Sequence, residues 1–413
     1  MPSSGLSVRT IADVLRDFFD IRERKVGGAI TIVRPEGPDR PAVYKIALDL
    51  GPSAALSATP EMDTDIEKAI RRSARSIARE YDPVGLASYY VNHDRKALKP
   101  LADDLMKSAD RGHRRAGLFV RGLDEANTAE KMARFREAIA EDPKFGAAYN
   151  ALGSTLADMN DGQTADENEK RIDEAIRMFG EAIRLNPSNA WAFRNRADVH
   201  RRKGCFRLAV ADFEQASKLK AIGKIFFELG LAYEYQAVID PSPAIKAYDE
   251  AIMLDAASVM PDSTYTWALN NRCYMRAIRG DGPAVLADCN KALDASKNLE
   301  RYDSRGFAYL RLKEYDKAID DYTAALTAEP NHDLRAYPLY GRGVARLAKG
   351  DNPAGGKADI DEARRLDCKI DENMAKFGVK PSVDAGPART CEASTPGKSE
   401  PYCPRGWLEV IGL

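Results

Sequence analysis

A Gly-Lys-Ser tripeptide near the end of the sequence has the residue types of a phosphate-binding loop. The full motif, G-x-x-x-x-G-K-[ST], also begins with a glycine, but that position is Glu392 in front of Gly397-Lys398-Ser399. No strand pattern precedes the tripeptide and no helix pattern follows it, although a phosphate needs the backbone amides at the start of a helix. We therefore expect no nucleotide and no other cofactor.

Oxygen-bearing side chains between residues 158 and 171 form the pattern of a weak calcium loop. Asp158, Asn160 and Asp161 precede Gly162, and Glu169 follows. The glycine comes one position early for that loop, and the residues after it supply few ligand oxygens. The chain has four histidines: His93, His113, His200 and His332. So few histidines make a multi-histidine site hard to assemble, and we expect no metal site.

No set of nucleophile, base and acid residues has the spacing of a catalytic motif. The sequence contains neither G-x-S-x-G nor H-E-x-x-H, and no cysteine stands in a recognisable arrangement with a histidine. The numerous carboxylates fall mostly at predicted helix-surface positions, where charge serves solubility. The sequence predicts that the protein is not an enzyme and has no catalytic residues.

The charge balance bears on the class of partner. The 413 residues include 62 Lys and Arg and 63 Asp and Glu, a net charge of -1, which argues against a dedicated nucleic-acid binder. No apolar run is long enough for a membrane span. One predicted helix carries a basic stripe, Lys68, Arg71, Arg72, Arg75 and Arg79. We interpret it as a solvated face, with docking onto an acidic lipid or protein surface as the alternative.

Cysteine usage and the first residues indicate a compartment. Residues 1–9 lack the charged and apolar stretches of a secretory signal, and six cysteines are too few for a disulfide scaffold of this length. We predict a cytoplasmic protein; the alternative is a membrane-anchored or exported protein whose native N-terminus lies upstream. A bridge between Cys391 and Cys403 is expected only in an exported protein.

The middle of the chain repeats one pattern of large and small residues. Between residues 302 and 330 its members are Tyr302, Gly306, Tyr309, Ala318, Tyr322, Ala325 and Pro330. Apolar residues at intervals of three and four indicate two amphipathic helices. Small residues let two helices approach closely, and the proline ends the second helix.

This pattern resembles the tetratricopeptide repeat (TPR), with repeats of the bacterial type. The same register recurs around Tyr149, Phe193, Phe226, Leu269 and Leu339, which makes six repeats, and Phe135, Ala138 and Pro143 match a second helix alone. The resemblance implies a mainly α, α-α superhelical TPR solenoid, in which each repeat packs against its neighbours.

The remaining segments read differently and suggest four regions. Residues 1–60 are predicted to be a small α+β segment, with a helix over Ser7–Asp20 and a β-hairpin over Gly28–Arg34 and Ala42–Leu50. Residues 61–144 are a helical region with degenerate repeats, including a helix over Asp63–Tyr81 and a helical hairpin over Pro83–Ser108. Residues 145–380 are the TPR array of about six repeats, and residues 381–413 a disordered tail.

Three departures from the family pattern stand out. The first repeat carries an insertion, Asp158–Arg171, that we expect to be a mobile loop. Cys273 and Cys289 occupy repeat positions 8 and 24, where we expect two buried, packed thiols. Position 7 is arginine in the four repeats that have aspartate at position 23: Arg196/Asp212, Arg272/Asp288, Arg305/Asp321 and Arg342/Asp359. Either these charges face each other across the hairpin, or they share a recent duplication.

The resemblance also implies a binding surface, because the first helices of TPRs line a concave groove. The matching positions carry Trp191, Arg194, Asn195, Arg201, Phe227, Leu231, Tyr235, Trp267, Asn270, Asn271, Tyr274, Phe307, Arg311, Tyr340 and Leu347. Aromatic and arginine residues dominate binding energy at interfaces; the alternative is that some of these rings only pack between repeats. The Lys and Asn set that clamps chaperone carboxylate tails is missing.

Two functions follow as hypotheses. The first is a non-enzymatic scaffold or adaptor that binds a protein or peptide in the concave groove. The second is a regulatory subunit of a signalling or hydrolytic system that acts through the N-terminal α+β segment. Neither the identity of the partner nor the oligomeric state follows from the residues.

Overall fold

The structure is a computed structural model. It describes residues 27–33, 43–49, 62–63, 75, 78–79, 82–159, 164–236, 240–256 and 264–381. Contacts divide the chain into two compact units, Met1–Pro187 and Ser188–Leu413. The helix predicted over Ser7–Asp20 and the predicted disordered tail, with Cys391 and Cys403, lie outside the described residues.

A three-stranded antiparallel sheet belongs to the first unit. Strand β1 (Gly27–Val33) pairs with β2 (Val43–Asp49), and β2 pairs with β3 (Met62–Asp63). The first two strands coincide with the predicted β-hairpin. The helix predicted over Asp63–Tyr81 begins later than expected, because Asp63 still belongs to β3; within that range, residues 75, 78 and 79 are helical.

Six helices follow in the described part of the first unit: α1 (Pro83–His93), α2 (Leu98–Lys107), α3 (Arg111–Asp124), α4 (Thr128–Glu141), α5 (Gly146–Asp158) and α6 (Ala165–Leu185). Polar residues start several of them. Asp82 accepts a hydrogen bond from the Gly85 amide at 2.9 Å, and Asn127 accepts from two amides of α4. Such caps satisfy amides that have no partner within the helix.

The degenerate region contains complete hairpins. The predicted hairpin over residues 83–108 is α1 and α2. The sequence indicated only the second helix of the hairpin that α3 and α4 form. Its first helix carries Gly122, where a Cβ atom would lie only 2.5 Å from the ring of Phe135 on α4. A glycine packed against an aromatic ring is thus also present here.

The insertion in the first repeat is mostly helical, and the prediction of a loop over Asp158–Arg171 was wrong for its second half. Helix α6 begins at Ala165, so residues 165–171 are its first two turns. Thr164 and Glu167 form a capping box, with the Thr164 amide donating to the Glu167 carboxylate at 3.0 Å. A capping box satisfies two amides at once, which explains why these polar residues extend the helix. Residues 160–163 lie outside the described residues.

The second unit consists of five helical hairpins and one further helix in its described part. Their first helices are α7 (Ala190–Arg202), α9 (Gly223–Gln236), α11 (Thr264–Arg279), α13 (Leu299–Arg311) and α15 (Ala336–Lys349). Their second helices are α8 (Phe206–Leu219), α10 (Ser242–Asp255), α12 (Leu286–Ala295), α14 (Tyr315–Ala328) and α16 (Pro353–Leu366). Helix α17 (Ile370–Lys376) follows. Together with α5 and α6, these hairpins are the six predicted repeats.

Small residues on first helices set the close approach of the two helices in a hairpin. A Cβ atom on Gly230 would lie 2.4 Å from the ring of Tyr248, and one on Gly306 would lie 3.0 Å from the ring of Tyr322. Both rings are almost completely buried. The aromatic residue of the second helix therefore fills the space that the missing side chain leaves.

Cys273 and Cys289 form a disulfide bond, so the prediction of two packed free thiols was wrong. They occupy the glycine and aromatic positions of their hairpin, and their Cα atoms are 5.4 Å apart. That separation falls within the range that a disulfide spans. Close helix approach, which other repeats use to seat a ring, here brings two sulfur atoms within bonding distance.

Candidate functional site

The arginines at repeat position 7 are structural. In each of the four repeats the guanidinium group donates two hydrogen bonds, of 2.6–2.8 Å, to the aspartate at position 23 on the facing helix. The aspartates Asp212, Asp288, Asp321 and Asp359 are buried. Bidentate geometry with a buried carboxylate is the strong form of this interaction. The prediction that these charges face each other is confirmed.

The candidate site is the surface formed by repeat positions 2, 5, 6, 9, 12 and 13 of α7, α9, α11, α13 and α15, here named the first-helix face. Contacts between successive first helices build it. Arg194 on α7 donates to Glu228 on α9 at 2.7 Å, and Arg301 on α13 donates to Thr266 on α11 at 3.2 Å. The predicted groove residues therefore lie on neighbouring helices of one unit.

Two aromatic side chains of this face are well exposed. Trp191 is 42% exposed, with the Lys220 ammonium 5.5 Å from its ring centre. Tyr235 is 58% exposed and stacks on Phe206 with the ring centres 5.1 Å apart. Large exposed rings held by neighbours provide contact area with little loss of side-chain freedom on binding.

A chain of hydrogen bonds crosses the middle of the face. Asn270 donates to Asn271 at 3.2 Å, Asn271 donates to the Tyr248 hydroxyl at 3.2 Å, and that hydroxyl donates to Glu234 at 2.7 Å. Burial raises the pKa of Glu234 to about 8, although the hydrogen bond from Tyr248 acts in the opposite direction. The carboxyl group is therefore largely protonated at neutral pH.

A second carboxyl group lies close to the tyrosines of the face. Burial raises the pKa of Asp303 to about 7, and the negative charge of Glu300 contributes to the same shift. Asp303 in turn helps to raise the pKa of Tyr274 and of Tyr337, for which burial is the main cause. The electrostatic influence shows that the carboxyl group and these two rings are neighbours on the face.

Tyr274 and Arg311 contact the end of the chain's last helix. The ring of Tyr274 lies 4.5 Å from that of Phe307 and 5.7 Å from that of Phe377, measured between centres. Arg311 donates to the backbone carbonyl of Phe377 at 3.5 Å. Both predicted groove residues thus touch a segment that follows α17.

Several other predicted residues are packed or paired within the protein. Phe307, Tyr340 and Asn270 are buried, and Tyr340 donates to Asp371 at 2.9 Å. The packing alternative holds for these three in the free protein. Phe227 lies 5.9 Å from Tyr248, and the Arg301 guanidinium lies 4.8 Å from the ring centre of Trp267.

The arginines and amides of the face are engaged too. Arg194 binds Glu228 in two places and also donates to Asn195 at 3.2 Å, while Arg201 donates to Asp198 at 2.6 Å. Leu231 is half-buried, and Leu347 packs against the core of the last repeats. What a partner meets is therefore chiefly aromatic.

Glu234, Asp303 and Tyr337 belong to the face but were not among the predicted residues. They occupy positions 12, 5 and 2 of their repeats, so the spacing that selected the other residues also selects these. The search concentrated on aromatic, amide and basic side chains and passed over the acidic ones. Only the three-dimensional surroundings, which raise the pKa of both carboxyl groups, distinguish them from ordinary surface acids.

The described residues contain no group of three or more His, Cys, Asp or Glu side chains arranged to hold a metal ion. Among the helices of the described ranges, none has the length and apolar character to cross a membrane. Of the basic stripe, Arg75 and Arg79 are described, and Arg79 forms an exposed ion pair with Asp104 at 2.9 Å.

Known proteins with similar structures contain helical repeats. The Cut9 and Hcn1 hetero-tetramer of APC/C matches at 16% identity and a TM-score of 0.46, over 71% of this chain and 52% of the other. YrrB, a TPR protein with an unusual peptide-binding site, matches at 18% identity and 0.33, over 59% and 97%. A TPR protein of Parabacteroides merdae ATCC 43184 matches at 15% and 0.42, over 69% and 99%. The chain thus spans about half the length of the first of these.

The family model of the tetratricopeptide repeat matches residues 300–332. That range is the hairpin of α13 and α14, in which Gly306 packs against Tyr322 and Arg305 binds Asp321. The same close helix approach recurs at Gly153 with Phe179 and at Gly230 with Tyr248. The protein is a tetratricopeptide-repeat protein.

Proposed function

We propose that the chain is a non-enzymatic scaffold that binds an extended segment of a partner protein along the first-helix face. The observation that supports this most directly is the exposure of Trp191 and Tyr235, whose rings are fixed by Lys220 and Phe206. Exposed aromatic residues on a preformed surface are typical of the residues that dominate binding energy. The amides of Asn195 and Asn271 lie on the same face and suit an extended backbone.

The experiment is a selection of short random peptides displayed on phage against the full chain. A selected peptide is then synthesised with a fluorescent label, and its dissociation constant is measured by anisotropy. We expect Trp191→Ala and Tyr235→Ala each to weaken binding by about tenfold or more. Met253→Ala, which removes an exposed apolar side chain from the second helix α10, is the matched control and should bind normally. Equal binding by all variants would contradict the proposal.

The compartment belongs to this proposal as well. The Cys273–Cys289 disulfide favours an oxidising compartment over the cytoplasm, because cytosolic thiols are kept reduced. Cys205 and Cys368 are also disulfide-bonded. We therefore favour the alternative of an exported or membrane-anchored protein. Alkylation of denatured protein from its native cells should leave these four cysteines unmodified unless a reductant is added first; free thiols at these positions would support the cytoplasmic location.

The hypothesis of a regulatory subunit places the activity in residues 1–60. The structure describes β1 and β2 in that segment, and neither strand favours a particular effector. That hypothesis stays a prediction from the sequence.

A further inference from the structure

The segment after α17 lies on the first-helix face, where the proposed function places a partner. The ring of Phe377 meets that of Tyr274 edge to face, at 75° and 5.7 Å between centres. Tyr274 stands at position 9 of α11. The carbonyl of Phe377 accepts from Arg311, at position 13 of α13. One residue of the last segment thus contacts face positions on two earlier repeats.

Helix α17 holds this segment in place from behind. Asp371 accepts hydrogen bonds from Arg364 at 2.7 and 3.0 Å and from the Tyr340 hydroxyl at 2.9 Å. Ile370 and Met374 are buried in the core of the last repeats. The helix is therefore firmly attached to α15 and α16, and the position of Phe377 depends on how the chain leaves the helix.

A tight turn sets that exit. Gly378 has φ +72° and donates to the Ala375 carbonyl at 3.0 Å, while Val379 donates to the Met374 carbonyl at 3.1 Å. These two bonds, with Met374 and Val379 in one buried cluster, are those of a Schellman motif. Any other residue at 378 would be strained, and its Cβ atom would approach the Arg311 guanidinium to 2.9 Å.

The contacts of Phe377 itself are ones that another chain could replace. The ring is partly buried and adds one edge-to-face contact, and the bond from Arg311 is exposed and long. Neither contact depends on the rest of α17. An aromatic side chain with a backbone carbonyl beside it, from any extended peptide, presents the same groups to Tyr274 and Arg311.

We propose that Tyr274 and Arg311 form the anchor subsite of the first-helix face for an aromatic side chain of the partner peptide, and that Phe377 occupies this subsite in the free protein. This inference rests on the proposed function and specifies the chemistry of the partner. A peptide with a Phe, Tyr or Trp anchor then binds only by displacing Phe377. The segment after α17 acts as a built-in competitor.

The chain's own segment supplies a defined probe. A fluorescein-labelled peptide of residues 373–381, NMAKFGVKP, is titrated with the full chain and with Phe377→Ala. We expect the variant to bind the probe at least about tenfold more tightly than the wild type, because its subsite is vacant. The probe with alanine in place of its phenylalanine should bind neither protein, and the double variant Tyr274→Ala/Phe377→Ala should lose the gain.

A second variant keeps the ring and opens the turn. Gly378→Ala strains the left-handed turn and crowds Arg311, so it should bind the probe more tightly than the wild type, as Phe377→Ala does. Leu366→Ala removes an exposed leucine at the end of α16 and should behave like the wild type. Melting curves monitored by circular dichroism verify that each variant is folded.

The outcomes separate this inference from the proposed function. If the probe binds all folded variants alike, or binds none of them, Phe377 does not occupy a peptide subsite. Should a phage-selected peptide still depend on Trp191 and Tyr235 in that case, the scaffold proposal survives without the anchor subsite. If the probe binds as expected but selection yields no peptide, the subsite stands and the wider binding face does not.

Discussion

At the scale of single residues, the arginine–aspartate pairs are the clearest case in which two sequence positions depend on each other. Arginine at position 7 occurs with aspartate at position 23, whereas Leu229 at position 7 shares a hydrophobic cluster with Ala247 at position 23. The buried aspartate needs a cation because an isolated carboxylate is costly to bury. The two pairings are alternative solutions of one packing problem.

Replacing Arg305 by leucine should therefore destabilise the protein by about 1–3 kcal/mol, since Asp321 would remain buried without its cation. The double variant Arg305→Leu/Asp321→Ala recreates the pairing of Leu229 and Ala247 and should recover much of the loss. Urea denaturation of the wild type, both single variants and the double variant gives the coupling free energy. We expect a coupling above roughly 0.5 kcal/mol, beyond that of most exposed pairs.

The control for this cycle is the exposed pair of Glu314 and Lys317, which lie 2.5 Å apart on the surface of α14 and the turn before it. Its coupling should be smaller than that of Arg305 and Asp321. Additive effects of the Arg305 and Asp321 substitutions would mean that the buried pair adds nothing beyond its separate side chains.

Glu234 should make stability depend on pH. Its pKa is about 8 in the folded protein and 4.5 as the ordinary value, so between these values the folded state holds a proton that the unfolded state releases. Stability contributed by this group is present below about pH 4.5 and is lost as the pH rises through 8, with a slope of up to about 1.4 kcal/mol per pH unit.

Glu234→Gln removes the titration and keeps an acceptor for the Tyr248 hydroxyl. Relative to the wild type, the variant should gain roughly 1–3 kcal/mol in unfolding free energy between pH 5 and pH 8, measured by urea denaturation at both values. Glu372→Gln, on the exposed surface of α17, should show no such gain. A constant difference between wild type and Glu234→Gln at both pH values would contradict the raised pKa.

At the scale of the helical hairpin, the small residue at position 8 and the large one at position 24 act as one unit. Gly230 and Tyr248 fill that space with a ring, and Cys273 and Cys289 fill it with a disulfide. Both solutions depend on the short distance between the helices. A change at either position is therefore felt by the whole hairpin.

Gly230→Ala should destabilise the protein by about 1–3 kcal/mol, because its methyl group would overlap the buried Tyr248 ring. The matched control is Gly146→Ala at the start of α5, where the new atom meets its neighbours at an ordinary 3.5 Å and the effect should be small. Thermal denaturation of the two variants measures the difference. Equal melting temperatures would mean that the hairpin opens without cost.

Removing the disulfide should have a similarly local cause. Cys273→Ala/Cys289→Ala should cost about 2–4 kcal/mol, since a short loop is no longer closed in the unfolded chain. Cys273→Gly/Cys289→Tyr recreates the glycine–tyrosine pair of the neighbouring hairpins and should recover part of that loss. Denaturation with and without a reductant tests this: the reductant should destabilise the wild type and leave both double variants unchanged.

At the scale of the whole molecule, contacts are concentrated between neighbouring helices, so stability is expected to be a sum over repeats and their interfaces. The second unit, residues 188–413, contains five hairpins with their own buried clusters. We expect this fragment to keep the helical circular dichroism spectrum and a cooperative melting transition without the first unit. Loss of helicity in the isolated fragment would show that the units depend on each other.

Most of the helical architecture was predictable because a repeat is a local code. Spacing within one repeat specifies two amphipathic helices, and repetition reveals it even where single repeats deviate, as at Cys273. The first helix of the degenerate hairpin, α3, was missed since its distance from Phe135 differs from the family spacing. The start of α6 was missed because the polar residues of a capped helix resemble those of a loop.

The sequence by itself determined the hairpins, their order and the pairing of Arg305 with Asp321, because these depend on residues close together in one repeat. Only the tertiary structure decided how Phe377 meets Tyr274, how Cys273 and Cys289 bond, and which carboxyl groups are hard to ionise. These properties depend on how successive hairpins stack and how much solvent the stack excludes. No spacing within one repeat encodes that.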